Sequence, residues 1–75
     1  MRLIKLEIYQ DEEGYWCARG MDADIFTQGK TLDELRKNIE EAVEVHFEEE
    51  LQTETIRILT LSEFEVQAIA KASSS

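Results

Sequence analysis

The residues with chemistry at hand are mostly acids. Asp11, Glu12 and Glu13 crowd together before Gly14, and Asp22 and Asp24 fall in and beside a second loop. Paired carboxylates holding a divalent metal could cleave a phosphodiester, provided that rigid elements fix them within a few ångströms and shield them from water. All five lie in or beside loops and turns, and the strand best placed to carry a catalytic acid offers only Lys5 and Glu7 at its polar positions. A vestigial metal-dependent nuclease using Asp22 or Asp24 is the enzymatic reading of this pattern, and solvated loop acids are the simpler one.

His46 is the sole imidazole, near the negative end of an expected helix, with no serine or cysteine in evident reach to activate. A partly buried histidine covering the edge of the core accounts for it. Thr27-Gln28-Gly29 before a helix invites an anion-binding reading, but Asp33 and Glu34 would repel a phosphate there. Gly29 is better explained by the backbone freedom of a strand-to-helix turn. Tyr15, Trp16 and Phe26 could stack on bases, yet only Lys5, Arg19 and Arg57 accompany them on strands, and Trp16 fits a helix-facing core. No catalytic residue, metal ligand set or cofactor is assigned.

These side chains would be positioned by a short series of elements. Residues 2–9 alternate, with Ile4, Leu6 and Ile8 on one face, which is the period of a half-buried strand. Residues 10–14 form a polar hairpin loop ending in glycine, and 15–19 the returning strand. That strand puts Trp16 and Ala18 on one side and Tyr15, Cys17 and Arg19 on the other. Asp24 to Gln28 read as a third strand.

Thr31-Leu32-Asp33-Glu34 is a capping box, in which threonine and glutamate each satisfy an orphan backbone N–H. The helix it opens carries Leu32, Leu35, Ile39, Ala42, Val43 and Phe47 on one stripe, with Val45 pointing away as a contact for another chain. Glu48, Glu49 and Glu50 oppose the dipole at its end, so the last turn should fray. Residues 53–61 read as a fourth strand with Ile56 and Ile58 sharing a face, parallel to the first. Ser62-Glu63-Phe64-Glu65 would cap a second short helix reaching about Lys71, and Ser73 to Ser75 a flexible tail. The expected fold is α+β, in the order β-β-β-α-β(-α), over a single domain at 1–72. A three-strand antiparallel meander gains a parallel fourth strand, and one amphipathic helix packs on one face.

The opposite face, with Leu3, Tyr9, Tyr15, Cys17 and Leu59, must then be covered by the terminal helix or by another chain. Seventy-five residues make a core that is only marginally sufficient, which favours a partner or a second copy. One cysteine excludes an internal disulfide and fits a reducing cytoplasm. No apolar run is long enough to span a bilayer. A net charge of −9 argues against direct nucleic-acid binding and suits a basic protein partner.

Gly14-Tyr15-Trp16-Cys17-Ala18, then Thr27-Gln28-Gly29-Lys30-Thr31-Leu32-Asp33-Glu34, then Asn38-Ile39-Glu40-Glu41-Ala42-Val43-Glu44 resemble the N-terminal domain of HicB-like antitoxins and their stand-alone relatives. The resemblance covers roughly residues 3–60. It implies a partial ribonuclease-H-like fold without that fold's nuclease carboxylates, which oligomerises and neutralises a small basic mRNA-interferase toxin (HicA-like) by covering its catalytic surface. Family members commonly add a DNA-binding domain, and the loop before the third strand usually carries prolines where this chain has Met21 to Phe26. The expectation is a non-enzymatic, cytoplasmic, homodimeric binding module without its own DNA contacts. Tyr15, Cys17, Arg19, Val45, Glu48 and Glu49 are its expected protein-binding residues. The alternatives are an orphan regulatory subunit of another complex and the vestigial nuclease above.

Overall fold

A computed structural model describes residues 1–69. Strands β1 (Arg2–Gln10), β2 (Trp16–Gly20) and β3 (Phe26–Gly29) precede helix α1 (Leu32–His46), and a single 3₁₀ turn at Glu50–Gln52 leads into β4 (Ile56–Ser62). The sheet order is β3-β2-β1-β4. Both β1–β2 and β2–β3 are antiparallel, and β4 lies parallel to β1 with Ile4 opposite Ile58. The fold is therefore the expected α+β arrangement of a mixed sheet and one helix.

Alternation decides which face the helix covers. Ile4, Leu6 and Ala18 point inward and meet Leu35, Ile39, Val43 and Phe47, all buried, with Ile25 closing the core beside β3. Trp16 lies on this side as expected but is only half-buried, so Ile4, Leu6 and Leu35 are the largest fully buried side chains. Leu32, at the first helical position, stays 53% exposed.

The Asp11–Tyr15 hairpin is organised by one carboxylate. Asp11 Oδ1 accepts from the backbone N–H groups of Glu13 and Tyr15, each at 2.9 Å. Gly14 sits at φ +94°, a conformation other residues enter only with strain. One of the five loop and turn acids is thus occupied by its own turn.

At the helix start Thr31 Oγ1 accepts from Glu34 N–H at 3.0 Å. The glutamate does not close the box on the cap residue; its Oε1 accepts from Lys30 N–H, one residue upstream. Two orphan donors are still satisfied. Gly29 has no positive φ, so the expected backbone-freedom argument is replaced by a steric one. A Cβ there would lie 2.7 Å from Leu35 N and 3.0 Å from Leu35 Cα, which requires the helix to approach β3 over bare backbone.

The helix stops at His46 rather than fraying through the glutamates, and Phe47 N–H closes it on Val43 O at 2.9 Å. Arg2 lies at this end, its Nη1 3.8 Å from Glu50 Oε2 and its guanidinium 4.8 Å from the Phe47 ring. A cation from the first strand thereby offsets the acid cluster at the negative helix terminus.

The second helix does not form within the described residues. Ser62 is the last residue of β4, and 63–69 follow without regular structure, exposed throughout. Phe64, Val66 and Ile69 do not share one face at helical spacing, and so short a helix without a packing stripe is marginal in water. The expected end of that helix at Lys71, and the tail at 73–75, lie outside the described residues.

Candidate protein-binding surface

The outer side of α1 carries an exposed apolar residue among acids. Packing Leu35, Ile39 and Val43 inward turns Val45 out, where it is 79% exposed. On the same helix face Glu41 lies four residues before it, and Glu48 and Glu49 follow in the turn just past the end of the helix. All three acids are exposed.

Beside Val45 runs an open cleft between the helix and β3, about 420 Å³, lined by Ile25, Phe26, Ala42, Val45 and His46 with Asp24 and Glu41 on it. Phe26 reaches it from the first position of the edge strand and is 56% exposed. Asn38 Nδ2 donates to Gln28 O at 2.8 Å and holds the helix against that strand. The cleft is thus an apolar strip bordered by carboxylates, on a rigid helix–strand joint. Such a surface complements a basic protein that presents an apolar anchor, since charge at the rim steers encounter and apolar contact at the centre holds it.

His46 is exposed, which corrects the expectation of a partly buried core edge. Phe47 takes the buried place at the end of the stripe, and the imidazole is turned out beside it, with ring centroids 4.5 Å apart. No hydroxyl or thiol partner of a general base accompanies it in the cleft.

Tyr15, Cys17 and Arg19 lie elsewhere, at the hairpin and on the sheet face turned away from α1. Cys17 is on that face as alternation requires, but it is buried, with Sγ 3.7 Å from Tyr15 O and 4.0 Å from Asp11 Oδ2, so its thiol presents no surface. Tyr15 is half-buried. Arg19 is exposed and donates to Glu7 Oε1 at 2.5 Å, with its guanidinium 5.9 Å from the Tyr9 ring. The hydrogen bond and charge of Glu7 raise the Arg19 pKa above its ordinary value. The structure therefore brings Val45, Glu48 and Glu49 to one end of the helix and leaves the other three in a separate place. Along the face that holds Arg19, exposed Leu3, Tyr9, Leu59 and Leu61 alternate with Lys5 and Arg57, and 63–69 do not cover them.

Sequence reasoning missed Glu41 and Ala42 as neighbours of Val45, although helical spacing alone reports them. It weighed Phe26 and Asp24 only for base stacking and metal binding, because their place beside the helix depends on tertiary packing. Among the described residues no three His, Cys, Asp or Glu side chains converge as a metal site would require. None of the described helices is long and apolar enough to cross a membrane.

A UPF0150 protein of Archaeoglobus fulgidus is 43% identical to this chain over 42 residues, which are 56% of this chain and 62% of that protein. The chain thus spans less than two thirds of the curated relative it matches. No family model matches it, and no solved structure matches. The chain is similar to a UPF0150 protein over more than half its length, on a mixed four-stranded sheet with one covering helix.

Proposed function

We propose that this chain is a non-enzymatic binding module of the HicB-like antitoxin kind, which neutralises a small basic mRNA-interferase toxin by protein–protein contact. The observation that carries the reading is Val45, 79% exposed, on the Phe26 cleft that Asp24 and Glu41 border. An apolar centre with an acidic rim is the complement of a basic catalytic surface, and covering that surface is sufficient for neutralisation. The resemblance of the Thr27–Glu34 and Asn38–Glu44 segments to HicB-like antitoxins supports it. So do the structural roles those segments take, since Gly29, Thr31, Glu34 and Asn38 together lock α1 onto β3 and so hold the outer face in place. The module acts on protein rather than on nucleic acid, because a net charge of −9 repels phosphate backbones.

The test is co-expression with a small basic HicA-like mRNA interferase, taken from beside this chain's gene if one is encoded there. The native chain should restore growth that the basic protein arrests, and the Val45→Asp/Glu48→Lys/Glu49→Lys variant, folded by circular dichroism, should not. Equal rescue by both would remove this surface from the reading.

A further inference from the structure

Helix α1 packs over the β3 and β2 half of the sheet, and the other half is left with a second opening. Between α1 and β4 runs an apolar groove of about 550 Å³, floored by Ile56 and Ile58 and walled by Leu32 and Ile39, with Arg36 and Glu40 at its rim. Ile56 and Ile58 are only half-buried although they belong to the core face. The groove is thus core surface that the single helix does not reach.

Directly after β4 the same chain carries the side chains such a groove lacks. Phe64 is 88% exposed, Val66 85% and Ile69 71%, and with this segment the described chain extends over 62 × 25 × 19 Å. A radius of gyration of 16.6 Å compares with about 11 Å for a closed chain of this length. Beyond Ser62 the described segment has no glycine, proline, asparagine or aspartate to reverse direction tightly, so its route back into its own groove is poor.

We infer that residues 63–69 of each chain seat in the α1–β4 groove of a second copy, so that two chains exchange these segments about a twofold axis. This is independent of the toxin reading, which uses the other side of the helix. Because the exchange is reciprocal about that axis, it is isologous and closes at two. Phenylalanine alone buries about 150–250 Å². Val66, Ile69 and the groove walls they cover on both copies must supply the rest of the roughly 1,200 Å² that a specific interface needs. Glu63 and Glu65 of the segment meet Arg36 on the rim, which Glu40 shares at 3.6 Å. The overall charge of −9 per chain opposes the pairing, so added salt should strengthen it.

Sedimentation velocity of the full chain at high micromolar concentration tests the inference, with circular dichroism reporting the fold. The native chain should sediment as a dimer whose population rises with salt. Phe64→Asp/Val66→Asp should lose the dimer, and so should Leu32→Asp, a change at an exposed groove wall that leaves the core intact. The Leu32→Cys/Val66→Cys variant separates exchange from fold-back. On oxidation it should give a covalent dimer on a non-reducing gel, the native Cys17 being buried. A purely intrachain link would overturn the inference, as would a monomeric native chain or a dimer that survives the Phe64/Val66 change.

Discussion

Gly29 and Leu35 meet backbone to backbone: a Cβ on the glycine would stand 2.7 Å from the leucine's amide nitrogen. The first turn of α1 therefore rests on the end of β3 with no side chain between them. That contact sets the height of the helix above the sheet, and with it the depth of the Phe26–Val45 cleft.

Gly29→Ala should consequently push the helix off the strand. Overpacking of this kind costs about 1–3 kcal/mol. For a domain of this size each kcal/mol lowers Tm by roughly 4–8 °C. Thermal unfolding followed by circular dichroism measures it, and an unchanged Tm would show that the helix can shift without cost.

Asn38 does the same task with a hydrogen bond. Its Nδ2 donates to Gln28 O at 2.8 Å, across the joint that the candidate cleft borders. Asn38→Ala should lower stability in urea by about 0.5–1.5 kcal/mol, the usual net worth of such a bond. Asn38→Asp should be worse, because its carboxylate would face a carbonyl oxygen.

Asp11 tests the hairpin turn, and Asp22 and Asp24 test the nuclease reading. With Oδ1 accepting from Glu13 and Tyr15 N–H, Asp11→Ala should destabilise the hairpin by about 0.5–1.5 kcal/mol, since water can replace the carboxylate at these accessible donors. Titration of the native chain with magnesium or manganese, followed by NMR, should leave the Asp22 and Asp24 amides unmoved. Saturable micromolar shifts at those two residues would instead support a metal-dependent enzyme.

Most of the fold was legible because it is written in short-range patterns. The period of two in Ile4, Leu6 and Ile8, the helical stripe Leu35–Ile39–Val43–Phe47 and the Thr31 cap each depend on neighbours in the chain, and each is found where the pattern puts it. The second capping box at Ser62 has the same local signature and yields no helix through residue 69, since no stripe gives such a helix anything to pack on. Local signals nominate helices, and burial decides among them. The candidate surface was half legible. Val45 follows from helical spacing, whereas Phe26 joins it only through the strand's position at the sheet edge, and Cys17 is buried where alternation alone left it open.

Val45→Asp should leave the fold intact, since an exposed substitution away from caps and turns usually changes stability by no more than about 0.5 kcal/mol. Urea unfolding of the variant checks this, and a large loss would assign Val45 to the core instead.

Titration calorimetry of the chain against a small basic HicA-like mRNA interferase bears most directly on the proposed function. The native chain should bind saturably, more weakly as salt rises, and Val45→Asp should weaken binding at least tenfold, which is about 1.4 kcal/mol. Arg19→Ala, on the opposite face of the sheet, should leave the affinity unchanged. Val45→Asp binding as tightly as the native chain, or no binding by the native chain at all, would contradict the account.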